Sequence, residues 1–178
     1  PLGLTPAIRG DRDRYLDTYW STFPGLWRHG DWVRCDPDGT WYILGRSDDT
    51  LNIAGKRIGP PEIEAALTET GEVVDTAAIA APDDIKGVAV VCVCVAAPNV
   101  SPDAELVNRL KDRVGEIVSK PFRPREIHFV EALPKTRSMK TMRRVVRAAF
   151  LGEDPGDLSS ISNPETIQPI ADLQKEKS

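Results

Sequence analysis

The sequence contains few of the residues that build disulfide or metal frameworks. Its 178 residues include three cysteines and two histidines. An odd number of cysteines without framework spacing argues against a secreted scaffold and favours a reducing, cytoplasmic compartment. No apolar run is long enough to span a bilayer, so we expect no membrane partner. The start, Pro1-Leu-Gly-Leu, has no initiator methionine and does not resemble a signal peptide, so we expect the interior of a longer protein.

The two cysteines that lie close together, Cys92 and Cys94, fall in a predicted strand, where a spacing of two puts them on one face. A Cys-x-Cys metal site is one interpretation, but the sequence has no second pair. We favour small core residues and assign no metal ligand. His128 lies in the alternating run 126–130, and we expect it to be a half-buried strand residue rather than a ligand.

Aromatic residues are unevenly distributed. Eight of the 11 lie in residues 1–44. That is more aromatic surface than so short a segment can bury, so we expect it to pack against something outside this chain. Asp36-Pro-Asp-Gly39 is a turn sequence between Trp32-Val33 and Trp41-Tyr-Ile-Leu44, which predicts a hairpin. The segment Trp27-Arg-His-Gly-Asp31 predicts only a loop with a turn glycine.

A polar joint follows in residues 45–60. The run Arg46-Ser47-Asp48-Asp49 has no apolar periodicity, and the apolar residues Leu51, Ile53 and Ile58 then flank Ala54-Gly55. We predict two short strands and a tight turn. Because Ala-Gly is a poor hairpin dipeptide, we expect a type I or II turn or a bulge rather than type I′. An exposed joint before a stiff hairpin is typical of a pivot between two bodies.

The rest of the chain alternates helix and strand patterns. We predict a helix from Pro60 to about Gly71, strands over 73–81 and 87–97, and a strand over 126–130. A further helix is expected from an N-cap at Ser101 to about 119, and another carries the apolar face of Met142, Val145, Val146, Ala149 and Phe150. From Gly152 the chain is acidic, with proline and serine, and we predict a partly disordered tail over 153–178. The predicted fold class is α+β, a small sheet with flanking helices preceded by a β-hairpin.

The net charge of −4 hides a basic region. Residues 101–150 carry 12 basic and six acidic residues, and the run 135–147 holds six cations and no anion. Lys140 precedes a helix start, where the helix dipole disfavours a cation, so it is a candidate for reaching an anionic ligand. From charge alone, a solvated basic face and a nucleic-acid-binding surface are the alternatives.

Several ordered motifs resemble the C-terminal end of AMP-forming acyl-CoA synthetases, in the acetyl-CoA synthetase-like branch of the adenylate-forming superfamily. The similarity covers roughly residues 15–165, and several motifs at family spacing are more specific than any one. In chain order, the motifs are Gly30-Asp31, Gly45-Arg-Ser-Asp-Asp49, Leu51-Asn-Ile-Ala-Gly-Lys-Arg-Ile-Gly59, Glu62-Ile-Glu64 and Leu133-Pro-Lys-Thr-Arg-Ser-Met-Lys140.

The resemblance implies an enzyme that joins a carboxylate to coenzyme A. ATP first activates the acid as an acyl-adenylate and releases pyrophosphate. The C-terminal domain then rotates, and the coenzyme A thiol displaces AMP. It also implies the domain limits: residues 1–46 as the end of the large adenylating domain, 47–49 as the hinge, 50–152 as the C-terminal lid domain and 153–178 as a tail.

Individual roles follow from the same resemblance. Asp31 matches the aspartate that binds the ribose hydroxyls, Arg46 and Arg57 match arginines that reach the nucleotide, and Asp48 falls at the hinge position. Ala54 and Gly55 match the turn that borders the path of coenzyme A. Lys140 matches the catalytic lysine of adenylation, whose ammonium would neutralise charge on the α-phosphate and the attacking carboxylate.

The implied ligands are ATP with Mg²⁺, which binds with the nucleotide and not through this chain, and coenzyme A as a substrate. The implied partners are the chain's own N-terminal adenylating domain, a small carboxylate, and a protein lysine acetyltransferase and deacetylase acting on Lys140, with no nucleic acid. The family usually has glycine immediately before the catalytic lysine, whereas this chain has Met139. Because the phosphate loop, the adenine motif and the acyl pocket lie upstream in the family, we expect the fragment alone to be inactive.

Two other functions stay open at this point. The first is an adenylation domain that loads the thiol of a carrier protein instead of coenzyme A. The second is a basic binding module without chemistry.

Overall fold

The computed structural model describes residues 6–47 and 49–174, and the chain divides into two compact units between Asp48 and Asp49. The first unit contains helix α1 (Arg12–Trp20) and strands β1 (Asp31–Cys35) and β2 (Trp41–Arg46). The strands pair antiparallel, with Asp31 opposite Arg46 and Cys35 opposite Trp41. The backbone N–H of Gly39 donates to the carbonyl of Asp36 at 2.9 Å and closes the turn. The predicted hairpin is therefore confirmed.

The first unit has no core of its own in the part that the structure describes. None of its described side chains is buried, and Trp41 keeps 67% of its surface exposed. The other large apolar residues that stay exposed here are Leu16, Phe23, Leu26, Trp32, Val33, Tyr42 and Ile43. This exposed surface agrees with the expectation that the segment packs against a body outside this chain.

The second unit is built on a three-stranded sheet. Strand β5 (Val73–Asp83) pairs antiparallel with β6 (Gly87–Ala96), and β6 pairs parallel with β7 (Glu126–Phe129). The sheet is preceded by the short hairpin of β3 (Leu51–Ile53) and β4 (Lys56–Ile58) and by helix α2 (Pro60–Thr68). Helix α3 (Ala104–Ile117) connects the two parallel strands, as such a connection requires.

Apolar clusters cover both faces of this sheet. Val90, Cys92 and Cys94 of β6 lie in a cluster with the apolar residues of α2, α3 and the β3–β4 hairpin. Val91 and Val93 lie in a second cluster, with α4 (Arg143–Leu151) and α5 (Ile167–Asp172). Successive side chains of a strand point to opposite faces, so a strand buried on both sides has an unbroken apolar sequence. The α+β fold class is confirmed, as is the placement of Cys92 and Cys94 in the core.

Two local predictions were wrong. In the β3–β4 hairpin both central residues, Ala54 and Gly55, have positive φ values of 50° and 77°. Positive φ at both positions is the signature of the type I′ turn, which matches the twist of a two-residue hairpin better than type I or II. Helix α3 begins after Asp103 and not after Ser101, because the Asp103 carboxylate accepts the N–H of Leu106 at 2.7 Å.

The segment after Gly152 also differs from the prediction. As far as residue 174 it is folded onto the second unit, with a short 3₁₀ helix (Pro164–Thr166) followed by α5. Ile170 is fully buried in the second apolar cluster. Ile167, Ile170 and Leu173 recur every three residues and pack on this cluster, but the prediction followed the acidic, proline- and serine-containing composition and overlooked this short apolar pattern.

Across the part of the chain that the structure describes, no helix combines the length and the apolar character needed to cross a bilayer.

Candidate functional site

The first unit brings together two of the predicted site residues. Because β1 and β2 pair Asp31 with Arg46, the guanidinium Nη1 lies 3.8 Å from Asp31 Oδ1. The side chain of Asp31 keeps only 16% of its surface exposed. Gly30 makes this approach possible, since its φ is 90° and a side chain there would lie 3.1 Å from the Arg46 guanidinium.

His29 belongs to the same group, and the sequence prediction missed it. Its Nδ1 lies 2.5 Å from Asp31 Oδ2. The imidazole packs edge-on against Trp27, with 5.6 Å between ring centroids. Gly30, with its φ of 90°, turns the chain between His29 and Asp31, so sequence spacing alone gave no signal that would place the imidazole against this carboxylate.

Hydrogen bonds fix the backbone beside this carboxylate. The Ser47 backbone N–H and its hydroxyl both donate to the carbonyl of Gly30, at 2.8 and 3.0 Å, and Arg28 donates to the Ser47 hydroxyl at 2.9 Å. A cavity of about 320 Å³ opens here. Its lining includes the cationic side chains of Arg28 and Arg46 together with His29 and Gly30. The two arginines of this lining can bind an anionic group.

The turn of the β3–β4 hairpin, in the second unit, exposes backbone that carries no long side chain. Ala54 and Gly55 are both exposed, and no atom lies within 4 Å of the position that a side chain on Gly55 would occupy. Arg57 follows on β4 opposite Asn52, with its side chain exposed, while the next residue, Ile58, is buried. A chain-like ligand could pass close to the turn, with a cation two residues away.

Lys140 lies on a short loop that main-chain bonds hold tightly. The N–H of Thr136 donates to the carbonyl of Lys140 at 2.9 Å, and the N–H of Lys140 donates to the Thr136 hydroxyl at 3.1 Å. Lys135 and Thr141 pair as a β-bridge at the base of the loop. The Lys140 side chain is exposed. A fixed backbone with a mobile ammonium at its end suits a group that must reach a ligand.

Most neighbouring cations have partners within the chain. Lys135 Nζ lies 2.7 Å from Asp75, Arg143 pairs with Glu64, and Arg147 pairs with Glu153. Arg144 donates to the carbonyls of Pro155 and Asp157. Of the six cations in 135–147, Arg137 and Lys140 are the two whose side chains have neither an ion pair nor a hydrogen bond among the described residues. Three of the six are paired with carboxylates of this chain, which weighs against a general polyanion-binding surface.

Met139 occupies a backbone position that favours glycine. Its φ is 64°, in the left-handed region, and its side chain is 67% exposed. A side chain costs roughly 1 kcal/mol in this region, whereas glycine adopts it freely. The conformation therefore gives a physical reason for the glycine that the resembled family usually has before its lysine.

The predicted site residues are divided between the two units. Asp31 and Arg46 lie together on the first, while Ala54, Gly55, Arg57 and Lys140 lie on the second. The predicted hinge residue, Asp48, lies outside the described residues. Among the residues that are described, no group of three or more histidine, cysteine, aspartate or glutamate side chains is arranged to hold a metal ion.

The buried thiols are poor ligands and poor nucleophiles. Burial raises the pKa of Cys94 to about 12, and burial raises the pKa of Cys92 well above its usual range. The thiolate is the reactive and metal-binding form, so both cysteines behave as small apolar core residues.

Comparison with known proteins assigns the family. Residues 62–140 match the family model of the AMP-binding enzyme C-terminal domain, a span that begins in α2 and ends at Lys140. The chain carries an AMP-binding enzyme C-terminal domain. The match ends on the residue that the structure shows exposed on a fixed loop.

Relatives with this C-terminal domain extend the match. An acetyl-coenzyme A synthetase of Vibrio cholerae is 40% identical over 167 residues, which is 93% of this chain and 26% of that protein. The acetoacetyl-CoA synthetase from Streptomyces lividans is similar in structure, with a TM-score of 0.81 and 28% identity over 95% of this chain and 26% of that one. The anthranilate CoA ligase AuaEII, in complex with anthranoyl-AMP, is 34% identical, with a TM-score of 0.64 over 72% of this chain and 25% of that one. The chain spans about a quarter of the length of the curated relatives it matches.

Proposed function

We propose that the chain supplies the C-terminal part of an ATP-dependent, AMP-forming acyl-CoA synthetase. The whole enzyme would convert acetate or another short- or medium-chain carboxylate, ATP and coenzyme A to acyl-CoA, AMP and pyrophosphate. The observation that carries the proposal is Lys140, an exposed ammonium on a hydrogen-bonded loop whose cationic neighbours mostly have partners. Relatives named acetyl-coenzyme A synthetase cover nearly all of the chain.

In this proposal Lys140 acts in the first half-reaction. Its ammonium neutralises negative charge on the α-phosphate and on the attacking carboxylate, and such preorganised charge is a major source of rate enhancement. Asp31 accepts hydrogen bonds from the ribose hydroxyls, and Arg46 and Arg57 contact the nucleotide. Mg²⁺ enters with the ATP phosphates.

The second half-reaction uses the β3–β4 hairpin of the second unit. Coenzyme A passes the exposed turn at Ala54-Gly55, where the lack of long side chains leaves room for its pantetheine arm. The two half-reactions require rotation of the second unit at residues 47–49, with Asp48 as the hinge. The division of the chain between Asp48 and Asp49 supports this hinge position.

The main partner in this proposal is the enzyme's own N-terminal adenylating domain. The exposed aromatic residues of the first unit support it, because residues 1–46 would be the end of that domain and would pack against its remainder. Acetylation of Lys140 by a protein acetyltransferase would remove the charge and silence adenylation, and a deacetylase would restore it. We also propose a cytoplasmic location, since all three cysteines are free and Cys35 is exposed.

The test separates the half-reactions in the full-length protein. Pyrophosphate release from ATP is followed with a panel of acetate, propionate and hexanoate, and thioester formation is followed from supplied acyl-adenylate. Lys140→Ala should lower adenylation by about 10²- to 10³-fold and leave thioester formation nearly intact. Arg147→Ala is the control, because it removes a cation nearby that already pairs with Glu153. Equal loss of both half-reactions in Lys140→Ala would refute the assigned role.

A further inference from the structure

The segment after helix α4 is tied to the loop that carries Lys140. The amide of Asn163 spans the stretch just before the loop: its Oδ1 accepts the N–H of Lys135 at 2.8 Å, and its Nδ2 donates to the carbonyl of Leu133 at 2.9 Å. Leu133 is fully buried. One side chain therefore satisfies a donor and an acceptor of the same backbone segment, two residues apart.

The backbone next to Asn163 extends this contact. The N–H of Ser162 donates to the carbonyl of Lys135 at 2.8 Å, and the N–H of Arg137 donates to the carbonyl of Ser160 at 3.2 Å. Thr136 and Ile161 form a β-bridge. The stretch Lys135-Thr136 is therefore held from two sides, by Thr141 of its own loop and by residues 160–163.

Three further contacts keep residues 160–163 in place. Before them, Arg144 of α4 donates to the carbonyls of Pro155 and Asp157. Gly156 allows this approach, since its φ is 67° and a side chain there would lie 2.8 Å from the guanidinium. After them, Ile170 of α5 is buried in the second apolar cluster with residues of α4. The segment is anchored at both ends, so its hydrogen bonds can restrain the loop.

We infer that residues 160–163 brace the Lys140 loop and that Asn163 is a positioning residue for the adenylation step. Asn163 acts through the backbone at Leu133 and Lys135 and does not itself contact the reacting groups. The inference rests on the proposed role of Lys140. Loss of the brace would let the loop move, and displacement of a catalytic group by about 1 Å can cost as much as 10²-fold in rate. Thioester formation does not use Lys140, so it should not depend on the brace.

The experiment compares both half-reactions in the full-length protein, with acetate and ATP for adenylation and with supplied acetyl-adenylate and coenzyme A for thioester formation. Asn163→Ala should lower kcat for adenylation by about ten- to a hundredfold and leave the thioester step unchanged. Asn163→Asp keeps the acceptor for the Lys135 N–H but cannot donate to the carbonyl of Leu133. Its kcat for adenylation should therefore lie between those of Asn163→Ala and the parent protein.

Two control variants separate positioning from stability. Ser162→Ala removes a hydroxyl that donates to Lys135 at 3.0 Å but keeps the backbone N–H on the same carbonyl, so it should resemble the parent. Val114→Ala opens a cavity in the first apolar cluster, which includes no residue of the Lys140 loop, and should affect both half-reactions alike. If Asn163→Ala slowed both half-reactions equally, as Val114→Ala should, the inference that Asn163 positions the Lys140 loop would be overturned.

The outcomes also separate this inference from the proposed function. If Lys140→Ala abolishes adenylation but Asn163→Ala does not slow it, the proposed function holds and the brace is refuted. If Lys140→Ala leaves adenylation intact, the proposed function fails, and the brace fails with it.

Discussion

Arg143 and Glu64 form a bidentate ion pair that joins the start of α4 to α2. Nε lies 2.6 Å from Oε1 and Nη2 lies 2.5 Å from Oε2, with side chains only 20% and 13% exposed. Glu64 Oε1 also accepts the N–H of Ala78, and Arg143 Nη1 lies 3.6 Å from Asp49. The pair therefore connects the sheet edge, two helices and the first residue of the second unit. The hydrogen bond to Glu64 raises the pKa of Arg143, which keeps the guanidinium charged.

Breaking this pair on one side should destabilise the second unit. Glu64→Gln leaves Arg143 partly buried without its carboxylate, so we expect a loss of about 2–3 kcal/mol in the free energy of unfolding. The measurement is urea unfolding of this chain, followed by circular dichroism. Glu72→Gln is the control, because Glu72 pairs at 2.6 Å with the more exposed Arg109, and its loss of stability should be smaller than that of Glu64→Gln. A loss in Glu64→Gln no greater than in Glu72→Gln would contradict the structural role.

The left-handed backbone at Met139 predicts a stabilising substitution. Met139→Gly removes the cost of a side chain at positive φ, offset in part by the greater freedom of glycine in the unfolded chain, for a net gain of about 0.5 kcal/mol. Thermal unfolding of this chain measures the change. Ser138→Gly, at the preceding residue, where φ is not positive, should instead be destabilising. If both variants changed the stability in the same direction, the left-handed conformation of Met139 would be contradicted.

The hinge assignment predicts a selective kinetic defect. Proline locks φ near −65° and also restricts the residue before it, so Asp48→Pro should stop rotation in the full-length protein. Acyl-adenylate should then form without efficient turnover to acyl-CoA, as single-turnover assays of each step would show. Asp38→Pro, in the β1–β2 turn, tests whether a proline elsewhere in the first unit acts in the same way. Unchanged steady-state kinetics in Asp48→Pro would remove the hinge assignment.

The buried thiols predict how this chain responds to alkylation. At pH 8, iodoacetamide should modify Cys35 in the folded chain and all three cysteines in urea, because Cys92 and Cys94 are buried and their raised pKa values suppress the thiolate. Mass spectrometry counts the adducts. Rapid labelling of three thiols under native conditions would show that the sheet is not packed as described.

The same thiols predict a loss of stability at alkaline pH. Unfolded thiols ionise near their ordinary pKa of 9.0, whereas Cys94 in the folded state ionises near 12. Between these values the unfolded state releases protons first, so the free energy of unfolding falls as pH rises, by about 1.4 kcal/mol per pH unit for each thiol. Cys94→Val should reduce this slope, which urea titrations between pH 8 and 11 would measure.

Local patterns predicted the elements of this fold better than the contacts between them. The turn sequence Asp36-Pro-Asp-Gly39 between two apolar pieces predicted a hairpin, and the spacing of Val145, Val146 and Phe150 predicted a helix. The structure confirms both. The bond between Arg143 and Glu64 joins residues 79 apart in the chain, so no window of sequence reveals it. The type I′ turn at Ala54 was missed because propensity disfavours alanine there, and the register of the flanking strands decided otherwise.

The same contrast applies to the candidate site. Lys140 could be predicted as a candidate because its motif is local and its charge opposes the helix dipole. Asn163 was missed, since an amide that binds main chain across 28 to 30 residues gives no periodic signal. His29 was missed for a different reason, because its loop was treated as connecting chain and its contact with Asp31 depends on the backbone turn at Gly30.

The arginines of α4 have a practical consequence for choosing where to cut the gene. A domain boundary after Gly152, which the amino-acid composition suggests, would delete Glu153 and the carbonyls of Pro155 and Asp157. Arg144 would then lose its carbonyl acceptors and Arg147 its carboxylate partner, in a chain that also exposes Arg137 and Lys140. Such a fragment would adsorb to polyanions during purification, and an artefact of truncation would be mistaken for affinity toward nucleic acid.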